Sequence, residues 1–500
     1  MPAFFKKHLL FPGAFLLGSV LAEGAMAQNC DAICTDGETC LSAAVYPYVP
    51  DMTAFTSAIC EAWQSAGNTE KLYLIADENI WDGGYSSDPV YTNGSGTQTP
   101  IDVFVYDAMY LEYWKTQTTQ IPASLITDAS DFVPYADAAL KLSNDDMLAL
   151  PMLGCTNIMF YRTGDAGMAG VTTLSDFQTV NPAGVYISPV PFGMSGAMMN
   201  MSGKTTIGVD YMIKGFLDSG SWPSMTSVDA AIIQSLAQIS ETASYYNALT
   251  GAVPSLPGVE DQYVRAGYFS DGYGRTSIGF SESMSQMSAS TRSNLQLRAF
   301  PWTDNTSSPN MFYADVVGVN SNSPYLASTM PFVLANIMTL QATVQTAIAP
   351  SATDLSYLFP ARVSILNALS SVDPLYQQMS DVLNAKTTML VTMPTEDRDA
   401  FHSFGGTVES AVADAFSGHC DLESTVFPGS NSEAPSICTP LCANAGGWVG
   451  SWTNVSPPAW PGYSACGCNQ CVSASPLPST AEEATAMVTT GRALHRYNRN

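Results

Sequence analysis

Ten of the eleven cysteines fall into two end clusters, and the long stretch between them holds a single one. Cys30, Cys34, Cys40 and Cys60 sit at the front. Cys420, Cys438, Cys442, Cys466, Cys468 and Cys471 sit at the back, and Cys155 stands alone. In an oxidising compartment four and six cysteines can each pair internally, which leaves Cys155 as the odd thiol. A leftover thiol in an exported protein is buried and inert, intermolecular, or reactive. Cross-links are thus expected only at the ends, and the body between them is long enough to bury a large core of its own.

The N-terminus reads as an export signal. Lys6, Lys7 and His8 precede an apolar run from Leu9 to Leu21 and a small-residue exit, Ala25-Met26-Ala27. Residues 1–27 are therefore assigned to a signal peptide, and the mature protein to a secreted, extracellular or other oxidising exported setting. No later stretch approaches the ~20 uninterrupted apolar residues of a spanning helix, so no membrane span is expected. Asp and Glu outnumber Lys and Arg by 44 to 18, a net charge of -26. That balance repels nucleic acid and anionic membranes and mildly favours cationic ligands, although solubility alone accounts for it equally well.

Composition divides the remainder into a cysteine-bearing leader (28–42), an α/β body (43–405) and a tail rich in Cys, Gly, Pro and Ser (406–500). In the body, strand-like runs alternate with helical spacing, as in α/β proteins with largely parallel strands. Ser42 to Tyr46 and Lys71 to Ile75 read as strands around a helix from about Thr53 to Ser65, where Phe55, Ile59, Ala62 and Trp63 recur at helical intervals and Asp51 or Thr53 can cap. Further strands are expected at 101–106, 148–153, 276–280 and 311–319, and helices within 227–246, 328–347 and 361–371. Ligands of open α/β sheets settle beyond the carboxyl ends of strands, and Tyr46, Tyr48, Asp107, Cys155 and Glu282 fall at or just past such ends.

Cys155 follows an apolar run in Leu153-Gly154-Cys155-Thr156-Asn157. A thiolate is a strong nucleophile, but a free cysteine titrates near ~8.5 and needs a base, a cation or a helix terminus to activate it. The usual base is histidine, and outside the signal only His402, His419 and His495 exist, all near or within the tail. A carboxylate is the remaining proton partner. Glu282, in Phe280-Ser281-Glu282-Ser283, follows a strand among small residues, where partial desolvation brings a carboxyl toward neutrality. Taken singly it is equally an ordinary cap or loop residue. Asp107 and Asp315 are acids in apolar company, which invites either a turn or a ligand explanation. Tyr46, Tyr48, Tyr85, Tyr263 and Tyr313 can pack, or stack on a flat heteroaromatic. No Walker loop, dinucleotide fingerprint or His-rich cluster is present in the body, so neither cofactor nor metal is expected. Zinc on Cys442, Cys466, Cys468 and Cys471 is less apt than disulfides in an exported chain.

Several segments then combine. Tyr46-Pro47-Tyr48-Val49-Pro50-Asp51, Asp102-Val103-Phe104-Val105-Tyr106-Asp107, Leu150-Pro151 running into Cys155-Thr156-Asn157, Tyr263-Val264-Arg265, Ser281-Glu282-Ser283-Met284, Phe312-Tyr313 with Asp315, and Pro360-Ala361-Arg362 occur in an order and spacing that resembles thiaminase I over roughly 43–375. The resemblance implies a two-lobed α/β fold like that of the type II periplasmic binding proteins, with the ligand cleft between the lobes. It implies thiamine pyridinylase activity, a transferase reaction in which an organic base or other nucleophile replaces the thiazole of thiamine. It puts Cys155 on the family's nucleophile and Glu282 on its acid/base. It puts Tyr46, Tyr48, Tyr85, Asp107, Tyr263, Tyr313 and Asp315 on the substrate pocket. The implied partners are thiamine and a pyridine-, aniline- or thiol-type co-substrate, bound by a monomer. Phe280 departs from the family, which has tyrosine there. The rival readings are a non-catalytic secreted thiamine or solute receptor, and a Cys-dependent hydrolase with a histidine near Cys155.

Overall fold

The computed structural model describes residues 30, 32–77, 89–181, 197–199, 204–242, 261–270, 272, 275–395, 398–415, 420–424, 430–443, 447–455 and 463–468. The signal assignment at 1–27 lies outside these residues.

Strands β1 (Cys40–Ala44), β2 (Lys71–Ile75), β3 (Val90–Thr92), β4 (Gln98–Pro100), β5 (Val103–Asp107), β6 (Thr118–Thr119), β7 (Leu150–Cys155), β8 (Asn157–Arg162), β9 (Ala197–Met199), β10 (Thr276–Phe280), β11 (Leu295–Ala299), β12 (Asn310–Asn320), β13 (Phe359–Pro360) and β14 (Thr388–Leu390) build the body. The first lobe is a sheet in the order β13-β7-β12-β5-β1-β2, with β6 and β14 also on β12. The second is β11-β8-β10-β9.

Helices α1 (Met52–Ser65), α2 (Lys204–Ser219), α3 (Ala230–Thr242), α4 (Asp261–Ser270), α5 (Met330–Met338), α6 (Gln341–Ile348), α7 (Val363–Ser370) and α8 (Arg398–Ala415) cover the sheets. The expected βαβ start is present. Asp51 caps α1 by accepting from the Ala54 amide at 2.9 Å, and Phe55, Ile59 and Trp63 bury one helical stripe. The helical run expected within 328–347 comprises two helices, α5 and α6. Buried Arg362 donates to the Thr339 carbonyl at 2.6 Å at the break, a long-range contact that local periodicity does not report. In the second lobe α8 packs along α2 and α3 through buried Ile207, Tyr211, Leu236, Phe401, Phe404 and Val408.

The expectation of largely parallel strands is corrected. β1 runs parallel to β2 and β5, but β12 is antiparallel to β5, β6 and β7. The cause is the passage between lobes. β7 leaves the first sheet and becomes β8 of the second after one residue, Thr156, so the chain re-enters along β12 in the opposite direction. The two passages are tied where they cross: the buried Thr156 hydroxyl donates to the Met311 carbonyl at 2.5 Å.

The tail forms a separate unit of β15 (Cys420–Ser424), helix α9 (Ala434–Leu441), β16 (Trp448–Val455) and β17 (Tyr463–Cys468), with the sheet ordered β15-β17-β16. Disulfides Cys438–Cys466 and Cys442–Cys468 fasten helix to strand. Cysteines four apart on a helix are separated by ~6 Å along its axis. Cysteines two apart on a strand lie on one face and ~6.7 Å apart. The two repeats match, so the bridges form parallel rungs. A third bridge, Cys34–Cys40, closes the front loop. All three stay within their sequence clusters, and the zinc alternative loses its ligands Cys442, Cys466 and Cys468 to them.

Candidate active site between the two sheets

The floor of the site is built by three adjacent strands. Cys155 ends β7 and is half-buried; its register partner on β12 is Tyr313. Two residues on, and on the same face by strand periodicity, Asp315 is the register partner of Asp107, the last residue of β5. The ladder shifts register just after Asp315, where β7 and β12 come close. Only glycine fits beside the cysteine there: a Cβ on Gly154 would overlap the Tyr313 carbonyl oxygen and lie 2.6 Å from the Phe312 ring. The half-buried Asp107 carboxylate accepts from the Met109 amide at 2.9 Å, which fixes its direction at the strand end.

The second lobe supplies the facing wall. β10 ends at Phe280, and the following turn of 3-10 helix, Ser281–Gln286, carries Glu282 with its Oε2 atom shielded from solvent. Phe280 sets its ring edge on Tyr313, with centroids 5.2 Å apart and planes at 74°. Tyr263 projects half-buried from α4. Tyr46, two residues beyond β1, is buried and meets Tyr48 edge-on at 5.8 Å; Tyr48 is 41% exposed and forms the outer lip. Tyr85 lies outside the described residues.

Residues 156–303 match the sequence family described as the Thiaminase-1 domain. A curated relative, thiaminase-1 of Paenibacillus thiaminolyticus, is 31% identical over 412 residues, which span 79% of this chain and 93% of the relative. The chain belongs to the thiaminase I family. Among solved structures, Clostridium botulinum thiaminase I in complex with thiamin aligns with a TM-score of 0.62 at 26% identity, covering 75% of this chain and 99% of that one. Thiaminase I from Bacillus thiaminolyticus gives 0.61 at 27% identity, with 75% and 99% covered. The two-lobed α/β fold is therefore that of the family.

In this thiaminase I family member the candidate residues share one electrostatic neighbourhood. Burial raises the Tyr46 phenol well above its ordinary value, and Asp315, Tyr263, Glu282 and Cys155 add to the rise in that order. Burial likewise raises Tyr313, with Asp210, Cys155 and Asp107 contributing. Cys155 and Glu282, far apart along the chain and on different lobes, thus both act on a single phenol. Tyr46, Asp107, Cys155, Tyr263, Glu282, Tyr313 and Asp315 are brought together, and Tyr48 stands at their rim.

Two acids side by side on a closed floor cannot both ionise easily. Burial lifts Asp107 to about 6 against the pull of the Met109 amide and Arg398. Asp315 is pushed well up by burial, then by Asp107 and Glu282, with Arg398 opposing. Such a pair retains a proton and offers a donor beside an acceptor, which suits a ring nitrogen next to an amino group. Arg398, at the start of α8 and 5.8 Å from the Tyr110 ring centroid, is the positive charge that acts on both acids. Sequence inspection missed it because Arg398-Asp399 reads as a solvated helix start. It also missed Asp210, although an acid inside Ile207-Gly208-Val209-Asp210-Tyr211-Met212-Ile213 is a visible signal. His402 is exposed on α8, and among the described residues no cluster of His, Cys, Asp and Glu has the grouping of a metal site.

Proposed function

We propose that this protein degrades thiamine, transferring its pyrimidinylmethyl group from thiazole to a small organic base or thiol, with Cys155 as nucleophile and Glu282 as acid/base. The observation that carries the proposal is the convergence of Cys155, Glu282 and the Asp107–Asp315 pair around Tyr46, within a family whose members bear the thiaminase I name. Residues 43–405 form the catalytic unit. The enzyme works as a monomer, and it is exported, in keeping with disulfides at both ends of the chain.

Glu282 takes the Cys155 proton, and the sulfur forms a bond to an electron-poor pyrimidine carbon while the acids hold the added charge on the ring nitrogens and amino group. The bond to the thiazole nitrogen breaks, and its electron pair leaves with a neutral thiazole. The second nucleophile bonds to the freed methylene carbon, the Cys155 bond breaks, Glu282 returns the proton to the sulfur, and an amine- or thiol-type nucleophile releases its own proton to solvent. Stacking by Tyr46, Tyr48, Tyr263 and Tyr313 orients the ring.

Incubation of purified protein with thiamine and aniline or pyridine, followed by mass spectrometry, should detect free thiazole and the aniline or pyridine adduct. Cys155→Ser should lose at least about a thousandfold in kcat and still bind thiamine. Glu282→Gln should lose about 10²–10⁴-fold, the usual worth of a positioned acid/base. Binding without thiazole release under any nucleophile would make the protein a receptor instead.

A further inference from the structure

Asp210 is not used by the reaction just described. It stands on α2 among Ile207, Tyr211, Met212 and Ile213, all buried, and is itself 1% exposed. The Asn157 side chain donates to its carboxyl, yet its Oδ2 atom has no hydrogen-bond partner among the described residues. Nine other buried polar atoms among the described residues share that condition, and three of them stand near Asp210: the Tyr313 hydroxyl, Asn157 Oδ1 and Ser281 Oγ. Folded interiors satisfy nearly all such groups, so several in one place call for a missing partner.

They are in one place. Asn157 lies two residues past Cys155 and is the register partner of Phe280, which precedes Ser281. Phe280 touches the Tyr313 ring, and Tyr313 is the register partner of Cys155. Of the charges that act on the Tyr313 phenol, Asp210 is foremost. We infer that Asp210, Asn157 and Tyr313 form a second hydrogen-bonding wall that grips the amino-substituted nitrogen heterocycle taken by this cleft. The inference rests on the thiamine proposal, since the pyrimidine half of thiamine is such a ring.

The chemistry is complementary. Burial drives the Asp210 carboxyl well above the ordinary range, so it keeps its proton. A neutral acid donates O–H to a ring nitrogen, while Asn157, its amide N–H engaged by Asp210, leaves Oδ1 to accept from the exocyclic amine. Asp210 is thus a binding residue for the heterocycle, donating a hydrogen bond without transferring its proton.

Calorimetric titration in a Cys155→Ser background, which blocks turnover, tests this with three probes: thiamine, a 4-aminopyrimidine fragment and a thiazole fragment. Asp210→Ala should weaken thiamine and the aminopyrimidine about tenfold or more and leave the thiazole unchanged. Asp210→Asn, which keeps a donor, should restore binding to within about threefold of the parent. A folded Asp210→Ala protein with unchanged affinity for both ring probes overturns the inference. If alanine prevents folding, Asp210→Leu fills the volume without a polar atom, and parent-like affinity in that variant overturns it as well. If the parent fails to bind thiamine, the proposed function falls first; loss of aminopyrimidine binding in Asp210→Ala would still support the wall, and no such loss would end both.

Discussion

The body and the tail hold their shape by different means. From the front loop to α8, one continuous apolar core threads both sheets, and the lobes meet through packed strands and a buried hydroxyl at Thr156. The tail has a core of four half-cystines, Cys438, Cys442, Cys466 and Cys468, with Ile437, Leu441, Trp448 and Trp452 packed against it. A unit that small buries too little apolar surface to offset chain entropy, and covalent rungs reduce the entropy it must lose. The site sits in the region held by packing, where strand ends can be adjusted against one another.

The sharpest way to break this contrast is to remove one rung. A Cys442→Ser, Cys468→Ser double variant should lose roughly 2–5 kcal/mol of stability in the tail alone. Hydrogen exchange should show β15, β16 and β17 opened, with thiamine turnover close to that of the parent; joint loss of both would mean that the regions are not independent.

The converse test adds one methyl to the body. Gly154→Ala forces β7 away from β12 at the Tyr313 carbonyl, so about 1–3 kcal/mol should be lost, along with at least about tenfold in turnover. Urea unfolding with activity assays reads both, and an unchanged pair of values would show that the strands do not meet closely there.

Charge gives a smaller effect. Asp107 holds its proton to about pH 6 in the folded protein but only to ordinary carboxylate values when unfolded. Between those values the native state binds more protons, so this group's contribution is complete below the unfolded pKa and is lost as pH rises through about 6. Asp107→Asn should remove that slope and gain roughly 1–3 kcal/mol over the parent by about pH 7, visible as melting temperature against pH. The same variant should bind thiamine more weakly, and a parallel pH profile would refute the buried acid pair.

Smallest is Phe280→Tyr. The ring contact with Tyr313 should survive, and the new hydroxyl should change kcat or the preference among nucleophiles by no more than about tenfold, with the melting point nearly constant. Identical kinetics with aniline, pyridine and thiols would leave the departure from the family without consequence.

The sequence disclosed elements better than neighbours. Lys71–Ile75 and Thr276–Phe280 stand where alternation put them, and Cys155 ends a strand read two residues short, because period and turn residues are local signals. Asp315 was legible as an acid near a strand, but its pairing with Asp107 depends on an antiparallel register set by the return from the other lobe. Arg398 reaches the acids from a helix otherwise packed in the second lobe, and no spacing rule announces that. Asp210 carried a signal, a lone acid in an apolar helix face, whose meaning depends on Asn157 across the fold.

The crossing at Thr156 has the position of an axle. The sulfur of Cys155 lies a single residue from the seam at which one sheet hands the backbone to the other, whereas Glu282 rides on the far plate. A group beside an axle barely travels when the plates turn about it, and a group farther out sweeps an arc. Were the lobes to turn about that seam, Glu282 would move farther than Cys155, so the proton transfer proposed between them would need a shut cleft.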